Sequence, residues 1–191
     1  MKNRHFAPLF AVLGLLALLA AGCAGSNVVP LTYPTQLSDT PWCRWDVTLT
    51  PFADERPAKE LGVRDENATY VAASDVAEWV GRSLSAELSS RGCRCGWANA
   101  AQSAGGGFVV SGIITRVQLD KIGINQWTTA LSIRVELSRG GELLFGQTYN
   151  GTVERTFVLP NEGPQQILSE ALSEILGDAA VKLTEAMKQA S

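Results

Sequence analysis

The 191-residue chain has a single histidine, His5, and it lies in the first few residues. Downstream of it no Ser-His-Asp triad, Cys-His dyad or histidine-ligated zinc site can be built, which removes most hydrolase chemistry. There is no run of five or more basic residues, and nineteen acids face sixteen bases. Such a surface lacks the electrostatic footprint of a nucleic-acid binder. No second composition regime, internal repeat or phosphate loop is present. Gly105-Gly106-Gly107 has neither the lysine nor the Ser/Thr that phosphate binding needs, and reads as a link into a strand. The charged fraction of 18% and hydrophobic fraction of 46% are those of an ordinary globular chain.

What is present begins at the N-terminus. Met1 to His5 is short and basic, and Phe6 to Ala21 is apolar or small apart from Pro8. Leu19-Ala20-Ala21-Gly22-Cys23 follows. The order and size are those of a secretory signal peptide, and the apolar run is shorter than the ~20 residues of a spanning helix. Small residues before a cysteine resemble the bacterial lipobox, with Ala20 where leucine is usual. The resemblance implies cleavage before Cys23, which becomes the lipidated N-terminus carrying diacylglycerol and palmitate. By the same resemblance, Ala24 rather than aspartate after the cysteine implies the outer membrane, with the domain facing the periplasm. Loss of Lys2 and Arg4 leaves fourteen bases against nineteen acids, a mature charge of −5.

The expected organisation is a signal peptide over 1–22, a lipidated N-terminus and flexible tether over 23–42, and one domain over 43–191. The tether reading rests on Pro30, Pro34, Gly25 and several Ser and Thr. Alternation predicts a strand over Asp46 to Phe52. Ser74 is the expected N-cap of a helix whose stripe is Val76, Ala77, Val80, Leu84 and Leu88, closed by Gly92. Phe108 to Asp120 reads as a strand with Val109, Ile113, Val117 and Leu119 on one face. Trp127 to Ser138 alternates cleanly, Arg139-Gly140-Gly141-Glu142 reads as a hairpin turn, and a strand from Leu143 to about Leu159 follows. Leu143, Phe145, Tyr149, Val153 and Phe157 are expected on one face, with a break at Asn150-Gly151. Pro164 opens a last helix with the stripe Leu168, Leu172, Ile175, Ala179, Leu183 and Ala186. The order β-α-β-β-β-α gives a two-layer α+β domain, its sheet mostly antiparallel and both helices on one face.

Three cysteines remain. A helix after a strand runs back, so its C-terminus returns near the start of that strand. An exported chain would then join Cys43 to Cys93 or Cys95, leaving one thiol, with Trp42, Trp45 and Trp97 nearby to shield the bond. Cys-x-Cys as a metal or redox pair is the sharper but weaker reading. Trp79 lies off its helix's apolar stripe and suits a partner surface unless a loop covers it. Asp54 and Arg56 suit a structural ion pair or a ligand. Asn67-Ala68-Thr69 and Asn150-Gly151-Thr152 match a glycosylation pattern that a bacterial lipoprotein would not use. A carboxylate-dependent enzyme would draw on Asp54, Glu55 and Glu154.

Asp54-Glu55-Arg56, Leu88-Ser89-Ser90-Arg91-Gly92, the strand from Trp127, Tyr149-Asn150-Gly151 and Leu176-Gly177-Asp178 together resemble the YajG family of bacterial lipoproteins. Cys93 and Cys95 depart from that pattern. The resemblance implies a small α+β scaffold without catalytic residues or cofactor beyond the lipid on Cys23. The expected function is a non-enzymatic outer-membrane lipoprotein binding an envelope protein or glycan. The alternative is an auxiliary lipoprotein of an ABC-type lipid or solute transporter.

Overall fold

The computed structural model describes residues 27–34, 42–98, 106–158 and 163–191. The signal segment, Cys23, the tether stretch 35–41, Gly105 and Leu159 lie outside them. The elements in chain order are β1 (Val28–Val29), β2 (Asp46–Leu49), β3 (Ala53–Asp54), β4 (Gly62–Asp65), β5 (Ala68–Ala72) and α1 (Val76–Ser90). There follow β6 (Arg94–Trp97), β7 (Phe108–Lys121), β8 (Gln126–Arg139), β9 (Glu142–Thr156) and α2 (Gly163–Gln189). The main sheet runs β6-β2-β7-β8-β9, with β3 continuing β2 along β7. β7, β8 and β9 are antiparallel, while β2 is parallel to both β6 and β7. Both helices cover one face, and the fold is the expected two-layer α+β domain with a mostly antiparallel sheet.

β8 shows why. Its alternate residues Trp127, Thr129, Leu131, Ile133, Val135 and Leu137 are each at most 2% exposed. The period-2 pattern thus puts one whole face beneath the helices. The neighbours follow less simply. A bulge between Ile114 and Arg116 inserts an extra residue in β7. Phe108, Val110 and Ile114 therefore face the core before it, and Val117 and Leu119 after it. Val109 and Ile113, expected on the face of Val117, point the other way. A second irregularity at Leu137/Ser138 shifts β9, so that Leu143 is exposed rather than in line with Tyr149 and Val153. No break occurs at Asn150-Gly151. Gly151 is where α2 closes on the strand, since a Cβ there would lie 2.8 Å from Ile175 Cδ1. The β8–β9 turn is made as expected by Gly140 and Gly141, with φ of 58° and 86°.

Five short strands were not expected. Pro51, lacking an N–H, divides β3 from β2, but Thr50 N and Glu55 N donate to Val110 O and Ile114 O and keep the path along β7. β6 is only four residues with a glycine inside it, too short for alternation to show. β4 and β5 form a hairpin tied to the sheet by Trp127 Nε1 donating to Tyr70 Oη at 2.8 Å, and by Leu119 N donating to Leu61 O.

The tether reading is corrected over residues 27–34. β1 lies parallel to β5, and Val29 is buried with Leu31 and Tyr33 packed against the core. The segment crosses α1 and α2. Thr32 O accepts from Trp79 Nε1 at 3.0 Å, Thr32 Oγ1 from Gln165 Nε2 at 2.9 Å, and Glu87 Oε1 from Tyr33 Oη at 2.5 Å. Val29, Leu31 and Tyr33 alternate, a strand signal hidden among prolines. The N-cap of α1 is likewise Asp75, not Ser74, its side chain accepting from Glu78 N at 2.7 Å. Gly92, at φ 94°, ends the helix as expected.

Cys43 is bonded to Cys93 with 4.7 Å between Cα atoms, and Cys95 is the free thiol. Trp42 N and Cys43 N both donate to Arg91 O, so the helix C-terminus does return to the strand's start. Trp45 packs against the core, but Trp97 sits over Gly81 of α1 rather than on the disulfide.

Two measurements test these attachments. The disulfide closes a loop across a sequence separation of 50. Cys43→Ala is expected to lower stability by about 4 kcal/mol on the chain-entropy model, read from denaturant midpoints. Tyr33→Phe removes the hydroxyl donated to the buried Glu87, and should cost about 1–2 kcal/mol while leaving the far-UV spectrum unchanged.

Candidate functional site

A cleft of about 560 Å³ opens beside the N-terminal half of α1, lined by Pro51, Phe52, Asp54, Asp75, Ala77, Glu78, Arg82 and Trp97. Two glycines shape it. A Cβ on Gly112 would fall 2.2 Å from the Phe52 ring, and one on Gly81 would fall 2.9 Å from the Trp97 ring. Phe52 therefore lies flat on β7 as the cleft floor, and Trp97, half exposed, lies along α1 as its wall. β6 supplies Trp97 through its parallel pairing with Leu49. Trp97 was singled out in the sequence only as a shield for the disulfide. Its role here depends on β6, which alternation does not reveal.

The carboxylates in this cleft are already engaged. Asp54 accepts from Arg56 Nε at 2.9 Å and Nη2 at 3.0 Å, and Lys59 Nζ lies 3.0 Å from it. These donors, Arg56 first, hold its carboxyl well below the usual carboxylate range. Asp75 caps α1, and Glu78 accepts from Arg82 Nε at 2.7 Å. A general acid at neutral pH needs a raised pKa, so Asp54 is tuned away from that task.

The other carboxylates do not join it. Asp54 pairs with Ile114 in β7, whereas Glu154 pairs with Thr128 of β8, itself opposite Asp120. Six residues along and three strands across separate their backbones by roughly 20 Å or more, beyond the spacing of paired glycosidase carboxyls. Glu154 accepts instead from Gln126 Nε2 at 2.6 Å. Among the described residues no group of three or more His, Cys, Asp or Glu is placed to hold a metal. With Cys93 in the disulfide, Cys-x-Cys offers one thiol, and burial pushes the Cys95 thiol up, against its thiolate form.

Trp79 is not a partner surface. It is 7% exposed, its indole N–H spent on Thr32 O under the leading segment. Arg56 is a buried residue too, with 4% side-chain exposure, and only its partner Asp54 reaches the cleft.

The Asp54–Arg56 pair is thus structural, with Asp54 at the cleft wall and Arg56 buried behind it. Asp54→Asn strips the guanidinium of its counter-charge and is expected to cost about 3 kcal/mol. Asp54's folded pKa is depressed, so its contribution is present above the unfolded value of about 4 and lost as pH falls further. In urea titrations the gap between wild type and variant should be constant above about pH 4 and shrink progressively as the pH falls below it toward the depressed folded value.

No family model matches the chain, and no curated protein matches it either. Solved structures do. Protein XCC0632 from Xanthomonas campestris, described under the family model DUF330, superposes with a TM-score of 0.61 at 12% identity. The match covers 86% of this chain and 98% of that one. An uncharacterised protein superposes at 0.50 and 12% identity, covering 84% and 99%. Lipoprotein GNA1162 from Neisseria meningitidis is a looser match at 0.42 and 17%, covering 72% and 99%, from which no argument follows. None of them bears on the YajG resemblance. At such identities the chain shares a fold with the first two, and the likeness extends no further.

Proposed function

We propose that this chain is a lipid-anchored envelope lipoprotein of the bacterial outer membrane, facing the periplasm, whose domain binds and does not catalyse. The observation that carries it is the order of the first residues: a basic start, an apolar run and Leu19-Ala20-Ala21-Gly22-Cys23. The folded domain supports it, since it begins within a few residues of Cys23, as an anchored domain can. The disulfide suits an oxidising compartment.

Binding without turnover is the reading that the cleft favours. Its acids are committed to Arg56, Lys59, Arg82 and a helix cap, while the aromatic faces of Phe52 and Trp97 line an open wall. Aromatic faces beside carboxylates suit an envelope protein segment or a glycan, whose apolar surface stacks and whose polar groups meet the rim.

Radiolabelled palmitate supplied to bacteria producing wild type or Cys23→Ala tests the anchor. Label is expected on wild type alone and in the outer-membrane fraction. Equal labelling of the two would remove the lipoprotein reading.

A further inference from the structure

We infer that the end of the domain carrying the β4–β5 and β7–β8 turns is seated on the lipid surface, so that the domain stands on the membrane rather than hanging free of it. This deepens the proposed lipid anchoring at Cys23 and rests on it. The first support is reach. Only Ala24, Gly25 and Ser26 separate Cys23 from Asn27, which is already fixed in the fold: its side chain donates to Thr69 O and its carbonyl accepts from Val71 N. Four residues span about 14 Å at full extension. The β7 and β8 strands are 14 residues each, a length of about 46 Å. The anchor can therefore hold one end of the sheet at the bilayer and not the other.

The second support is which end that is. Thr69 pairs with Val63, Val63 N donates to Asp120 Oδ1 at 2.7 Å, and two residues earlier Leu61 O accepts from Leu119 N. β4 thus runs alongside the last residues of β7, and its turn projects with the β7–β8 turn at Ile122–Asn125. Phe157 N donates to Asn125 O, which brings Val158 to the same end.

The third support is what this end displays. Val63 and Ile122 are half exposed, Ile124 is 88% exposed and Val158 is still more so. Large exposed hydrophobics grouped at one end mark an interaction surface. The charges there are mixed, with Asp65, Glu66 and Asp120 against Arg64 and Lys121, so no basic cluster selects anionic lipid. The contact is apolar, and zwitterionic phospholipid suffices for it.

The test uses the lipidated full chain in phosphatidylcholine vesicles, with Cys95→Ser removing the free thiol. One variant adds Ile124→Cys, and a second adds Glu142→Cys in the β8–β9 turn at the opposite end. Each is labelled with an environment-sensitive fluorophore. Flotation comes first, and it should depend on Cys23. The label at 124 should then show blue-shifted emission and strong quenching by nitroxide-bearing lipid, unchanged by added salt, while the label at 142 shows neither. Floating protein whose two labels behave alike overturns this inference and leaves the anchor standing. Protein that stays with the buffer whether or not Cys23 is present overturns the anchor and this inference together.

Discussion

The inward face of β8 is the constraint that the remaining structure accommodates. It is the one long strand paired along both sides for its whole length, and its six inward residues are essentially sealed from water. A one-residue slip of either neighbour would turn that neighbour's apolar side chains to solvent. The bulge in β7 and the irregularity in β9 take up the mismatch locally. The helices then close on a continuous apolar surface, with Gly112 and Gly151 leaving room for Phe52 and Ile175 where contact is closest.

A sheet face this wide needs more than one helix, and two helices side by side leave an outer seam of their own. The leading segment covers it. Val29, Leu31 and Tyr33 pack onto the core, Thr32 O and Tyr33 satisfy the polar atoms of Trp79 and Glu87 that would otherwise be stranded there, and Thr32 Oγ1 accepts from Gln165 at the exposed edge. This is why Trp79 can stand off its helix's apolar stripe and still be buried. It also fixes the chain in the fold as early as Asn27, four residues after Cys23.

The cleft beside α1 shows a similar economy of charge. Asp54 pairs with a buried Arg56 as its counter-ion, Asp75 caps α1, and Glu78 meets Arg82 at the exposed rim. What remains for a partner is the surface made by Phe52 and Trp97. Tyr149 and Arg91 keep buried polar atoms without partners on the helix side, and burial pushes the Tyr149 hydroxyl up to about 12.

By itself the sequence determined the elements whose signal is periodic and local. β8 alternates at period 2, α1 and α2 carry stripes at helical spacing, the paired glycines force the β8–β9 turn, and the strand-helix order returns Cys93 and Cys95 toward Cys43, the choice of Cys93 being made by the fold. The lipobox-like start also needs no fold to be read. Tertiary structure decided whatever depends on a partner distant in sequence. β6 and β3 are too short to show a period, the alternation around β1 is broken up by prolines, and all three exist because an edge was open to pair with. The bulge in β7 is set by β8, so the faces of Val109 and Ile113 could not be read from β7 alone. The cleft was legible only as separate residues: Trp97 joins Phe52 because β6 pairs with β2, and Asp54 loses its chemical freedom because Arg56 is buried beside it. Local periodicity is written in the chain, whereas register and burial are settled by what each segment meets.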